Sequence, residues 1–158
     1  MRPSEKCRVK DYLTFFRESY DRAIASGTQR DEFFEAFYDS FMSKSDEITA
    51  RFANTDMPRQ KEMLDRSLHH MVEFSVQRRA SEQLRAVAER HSMSQLDIDP
   101  GLYDVWLQSL IETVQMFDSR FTEEIELAWR VVLAPGIVYM KFKYDKPAAE
   151  SQLPFIDD

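Results

Sequence analysis

Apolar residues recur three and four positions apart along nearly the whole chain, and no alternating run of strand length interrupts them. Tyr12, Phe15, Phe16, Tyr20 and Ala23 make one helical stripe, with Gly27 placed to end it. Thr28 is expected to cap a second helix, with Asp31 and Glu32 in its first turn and Phe33, Phe34, Phe37, Tyr38 and Phe41 on its inner face. Ser45, Asp46 and Glu47 predict a short helix ending near Phe52. Residues 54–57 read as a loop, and Pro58 suits the first turn of a longer helix whose inner face is Met63, Leu64, Leu68, Met71 and Val72. Ser81 and Glu82 open the next helix, which aligns Leu84, Val87, Ala88 and His91. Asp99-Pro100 predicts a helix running to about Phe117, and Thr122 with Glu123 and Glu124 starts the last one, to about Phe142. Pro135-Gly136 is expected to kink or loosen that helix, because proline removes a backbone donor.

The expectation is therefore an all-α fold of about seven helices. It forms one domain over residues 1–158, with its core from about 9 to 144 and a mobile tail over 146–158. Composition narrows the classes further. With 43% hydrophobic and 31% charged residues among 158, the chain can build a core, which a disordered segment cannot. Only 3 Gly leave too few tight turns for a β-sandwich or barrel. The net charge of −7 repels phosphate backbones, so nucleic acid is an unsuitable partner. A lone Cys7 excludes an internal disulfide framework and any zinc site built on several thiolates. No window approaches the ~18 consecutive apolar residues of a membrane span, and the charged N-terminus resembles no secretory leader, so a cytoplasmic protein is expected.

Chemistry must come from particular side chains. The 3 histidines are His69, His70 and His91. Adjacent His69 and His70 point about 100° apart on a helix and cannot chelate one ion together. They read as a solvated pair. His91 sits one turn after Val87 and Ala88 on an inward stripe, where a lone histidine is either a satisfied core residue or a ligand. No His-Glu-x-x-His or paired Glu-x-x-His motif is present.

Three segments carry a family resemblance. The run Phe37-Tyr38-Asp39 through Phe52 comes first, then Arg59-Gln60-Lys61-Glu62-Met63-Leu64, then Ala88-Glu89-Arg90-His91-Ser92 followed by Asp99-Pro100 and Tyr103. In order and spacing they resemble the globin family, specifically the bacterial globins related to the haem domain of flavohaemoglobins. The resemblance covers about Asp31 to Tyr144 and is tightest from Phe37 to Phe52.

That resemblance implies a globin fold around haem b and binding of oxygen, nitric oxide or carbon monoxide. It implies His91 as the proximal iron ligand and Phe52 as the aromatic wedged against the porphyrin. Tyr38 and Gln60 match the distal polar pair, Leu64 matches the apolar residue one turn after that glutamine, and Tyr103 matches a tyrosine near the proximal side. Val87 and Arg90 flank the implied cofactor site. A neutral imidazole gives iron one axial ligand and leaves the other face open. A phenol and an amide in a dry pocket would stabilise the negative charge that a diatomic ligand acquires there. Arg59, Lys61 and Arg90 are candidate partners for the haem propionates.

Two departures from the family pattern matter. The flavohaemoglobin-type globins carry a glutamate late in the last helix that hydrogen-bonds the proximal histidine, whereas residues 138–144 here contain no acid. A less anionic imidazole gives a weaker electronic push. The 158 residues also hold no reductase portion, so nitric oxide dioxygenation would need an external reductase. Two other readings stay open: a haem-free globin-fold sensor or interaction protein, and a haem-based gas sensor acting through a separate partner. Oligomeric state is undetermined at this level.

Overall fold

Seven α-helices and their connections make up the residues that the computed structural model describes, 11–25 and 29–146. They are α1 (Tyr12–Tyr20), α2 (Arg30–Ser43), α3 (Asp46–Arg51), α4 (Met57–Gln77), α5 (Glu82–His91), α6 (Leu102–Phe117) and α7 (Glu123–Lys143). One π-helical turn, Asp21–Ala25, prolongs α1. No strand occurs among the described residues. Cys7, the expected caps Gly27 and Thr28, and the tail beyond Lys146 lie outside the described residues.

Local chemistry sets the helix starts. Asp11, Ser45, Asp56, Ser81 and Thr122 hold extended backbone at the N-cap, and each side chain accepts a backbone N–H two or three residues on. Such a cap satisfies a donor the helix cannot, and is worth ~1 kcal/mol. Two starts differ from the pattern read in the sequence. Helix α2 has no side-chain cap; instead Gln29 Nε2 donates to the carbonyls of Arg22 (2.6 Å) and Ala23 (3.2 Å), tying α2 back to the π turn. Helix α6 begins at Leu102, because Asp99 Oδ1 takes the Gly101 N–H at 2.8 Å and closes a turn first.

The last helix runs unbroken through Pro135. Proline cannot bond the carbonyl of Val131, but Val131 is exposed, so water can replace the missing donor. Gly136 is needed for a different reason. A Cβ there would lie 2.9 Å from both Cγ and Cε of Met71, so only glycine lets α7 approach α4 this closely.

Helix α7 lies against α1 and α4, while α2 pairs with α6. Between these layers Trp129 is fully buried, its ring 4.4 Å from that of Phe16. A chain of edge-on rings fills the other side: Phe33 with Phe34 at 5.4 Å, Phe33 with Phe117 at 5.5 Å, and Phe37 with Tyr38 at 5.0 Å. Two buried carboxylates lock the layers. Asp118 accepts Ser19 Oγ at 2.6 Å and the Arg22 guanidinium at 2.6 and 3.0 Å, and Ser19 Oγ in turn accepts Trp129 Nε1 at 2.9 Å. Asp65 accepts the Tyr20 hydroxyl at 2.6 Å and the Arg30 guanidinium. No helix among the described residues is long and apolar enough to cross a membrane.

Candidate functional site

Helix α5 carries the histidine on which the site turns. Its close packing is with α7 and α4, and it has none of comparable extent with α2, α3 or α6. Two clefts, one lined by Glu73, Gln77, Arg79 and Ser81 and the other by Phe16, Tyr20, Leu68 and His69, both lie away from that histidine. Leu84 and Ala88 are buried along that helix, and Val87 and His91 are half-buried.

The His91 ring is fixed from within its own helix. Nδ1 lies 2.7 Å from the Val87 carbonyl oxygen, one turn earlier, so Nδ1 carries the proton and donates it to that oxygen. Nε2 then carries the lone pair, and no hydrogen bond to it is found among the described residues. The buried side-chain nitrogen without a hydrogen-bond partner is instead Nδ1 of His70, so of the adjacent pair His69 is exposed while His70 is half-buried rather than solvated. Burial depresses the pKa of His91 below its ordinary value; the Val87 bond opposes this, and the positive charges of Arg90 and Arg51 add to the depression. At neutral pH the ring is an uncharged donor with one nitrogen spoken for. The Tyr103 ring on α6 lies tilted, 6.5 Å away between centroids.

A second set of residues comes from α2, the end of α3 and the start of α4. Tyr38 is buried at the centre, with Phe52 edge-on at 5.5 Å and Phe41 packed on Phe52 at 6.1 Å. The Tyr38 hydroxyl donates to the backbone carbonyl of Gln60, at a long 3.3 Å. Burial pushes the Tyr38 pKa up to about 12, with Gln60 opposing, so the phenol keeps its proton. Gln60 is half-buried on the first turns of α4, and Leu64, one turn on, is buried. Thus Tyr38, Phe52 and Gln60 are brought together, as are His91, Val87 and Tyr103. Arg59 and Arg90 are exposed and Lys61 is half-exposed.

One contact was not legible in the sequence. Arg51, next to Phe52, donates to the carbonyls of Leu96 (2.8 Å) and Asp97 (3.0 Å) in the loop that follows His91. From the other side, the Tyr144 hydroxyl donates to the Asp97 carboxylate, and the Met93 N–H to the Tyr144 carbonyl at 2.9 Å. Asp97 itself sits at φ 51°, the left-handed region, which this clamp stabilises. The end of α3 and the loop after α5 are therefore joined directly.

The donor set favours one kind of metal chemistry over another. No group of three or more His, Cys, Asp or Glu among the described residues is placed to hold an ion. A half-buried neutral imidazole with no other metal-binding side chain beside it could give an iron one ligand only, the others having to come from a macrocycle.

No protein-family model matches this sequence, and neither does any curated protein. Among solved structures the chain is similar to the protein PA3967 of Pseudomonas aeruginosa PAO1, whose crystal structure is described as structurally highly homologous to a human hemoglobin. The two are 34% identical, the match covers 86% of this chain and 100% of that one, and the TM-score is 0.78.

Proposed function

From the premise that the chain belongs to the family of that Pseudomonas protein and has the globin fold, we propose that it is a haem-binding globin that takes diatomic gases. Ferrous haem b, when bound, would supply the iron chemistry that takes oxygen, nitric oxide or carbon monoxide. The observation that carries the reading is the half-buried His91 ring, with Nδ1 bonded to the Val87 carbonyl and Nε2 left free.

His91 Nε2 would hold the iron, and the Val87 carbonyl keeps the imidazole in the tautomer that ligation needs. Val87 and Tyr103 would bear on the proximal side, and Phe52 and Leu64 on the other face. Tyr38, protonated and in a dry setting, is a hydrogen-bond donor for a polar ligand, at the expense only of its long bond to the Gln60 carbonyl. The Gln60 amide is a second donor. Arg90, exposed at the end of α5, would be the propionate partner. Two polar donors on one side favour retention of a gas over rapid exchange, and with an external reductase the same pair would serve nitric oxide dioxygenation.

Absorption spectroscopy tests this. Purified protein titrated with haemin should show a saturable Soret band that shifts on reduction and again with carbon monoxide. His91→Gly should lose the ferrous five-coordinate spectrum and regain it when imidazole is added. A folded, colourless protein with no affinity for haemin would refute the reading and leave a haem-free globin-fold interaction or sensor protein.

A further inference from the structure

The outward face of α7 carries an apolar stripe that no other described helix covers. Leu127, Val131, Val138 and Phe142 are 44%, 42%, 64% and 56% exposed, and Ala134 is exposed between them. Steps of four, three, four and four residues keep all five on one side of a helix and make a strip of roughly 22 Å. Scattered surface apolar residues need no explanation, but a contiguous strip marks a contact surface.

The strip is almost the same read from either end. Val131 and Val138 lie three residues before and four after Ala134, and Leu127 and Phe142 lie seven before and eight after. Its charges are opposite at the two ends: Glu123, Glu124 and Glu126 in the first turn, Lys141 and Lys143 in the last. Glu123 and Lys141 fall along the same edge of the strip. A surface that matches itself when turned end over end is what a two-fold axis requires.

We propose that the chain forms a symmetric dimer in which α7 packs antiparallel on α7 of a second copy, crossing at Ala134. Leu127 of each copy then meets Phe142 of the other, Val131 meets Val138, and the small Ala134 side chains let the axes come close. Glu123 of one copy approaches Lys141 of its partner at both ends. Within its own chain Lys141 already donates to Asp104 at 2.9 and 3.2 Å, which fixes its ammonium beside the strip. Lys146 Nζ, 4.0 Å above the Phe142 ring, sits at the rim. A parallel arrangement would instead set the three glutamates of one copy against those of the other. The inner face of α7 stays on α1 and α4 throughout.

Sedimentation equilibrium of the full chain in the micromolar range should give twice the chain mass. Val138→Glu should give the single-chain mass with an unchanged far-ultraviolet circular dichroism spectrum. In a Cys7→Ser background, spin labels at Ala134→Cys should broaden one another strongly. Labels at Leu127→Cys, separated by roughly 20 Å along the helices, should not. A chain that stays monomeric overturns the proposal, including one whose strip resists labelling because residues beyond Lys146 cover it. So does a dimer indifferent to Val138→Glu, or broadening at Leu127 without broadening at Ala134.

Discussion

Removing the carboxylate of Asp118 should destabilise the fold more than any exposed charge change. The group accepts four hydrogen bonds: from Ser19 Oγ, from Nε and Nη2 of Arg22, and from the Arg120 N–H at 3.0 Å. Its side chain is 0% exposed, whereas that of Arg22 is 24% exposed and can recover some hydration. Breaking a fully buried pair costs ~3–5 kcal/mol, so with one partner partly wet the expected cost of Asp118→Ala is about 3 kcal/mol. For a domain of this size that corresponds to a fall in Tm of roughly 6–12 °C. Burial alone would raise the Asp118 pKa, but the bonds from Arg22, Ser19 and the Arg120 N–H outweigh it and hold the group below the ordinary carboxylate range. A depressed folded pKa gives stability that is present above the unfolded value and lost as pH falls through the folded one. Urea unfolding followed by circular dichroism should therefore show the full difference between wild type and Asp118→Ala at pH 7, and a shrinking one as the buffer is taken below the unfolded carboxylate pKa of about 3.8. A difference under ~1 kcal/mol at pH 7, or one that does not shrink in acid, would refute the reasoning.

Three further outcomes follow from the site and the core. Tyr38→Phe removes a donor that would be charge-assisted toward a polar ligand, worth ~1.5–3 kcal/mol, so stopped-flow oxygen dissociation from haem-reconstituted protein should speed up roughly 10- to 150-fold. Its unfolding free energy should change little, because the native bond to Gln60 is 3.3 Å long; an unaltered off-rate would remove Tyr38 from the distal role. Arg51→Ala releases the loop after His91, and loss of ~1 kcal/mol there should raise the rate of haem transfer to an acceptor globin about fivefold. Equal rates would show that the clamp does not slow haem loss. Gly136→Ala should cost about 1 kcal/mol, overpacking against Met71 exceeding the gain in helix propensity, and should become stabilising in a Met71→Ala background. The same sign in both backgrounds would contradict the close approach of α7 to α4.

The helices were legible because their signals are local. Stripes at helical spacing, the caps Ser45, Ser81 and Thr122, and Pro58 just inside α4 all act within a few residues of one another. The ties between helices were not. Asp118 meets Ser19 across 99 positions and Asp65 meets Tyr20 across 45, so in sequence each is only a polar residue near a helix. Tyr38 and Gln60 were singled out by resemblance, yet the acceptor of the Tyr38 hydroxyl is a backbone carbonyl, which no side-chain pattern encodes. Pro135 was expected to kink or loosen α7; the helix is continuous from Glu123 to Lys143, and Val131, whose carbonyl loses its donor, is an exposed residue.

The hydrogen bond from His91 to Val87 has an evolutionary consequence. Because donor and acceptor share a single turn of α5, the orientation of the imidazole is held by four consecutive peptide units of one helix. A ring oriented instead by an acid on the terminal helix would require two distant stretches to stay in register. Here the outer segment is released from that duty, and its surface is at liberty to drift toward other partners.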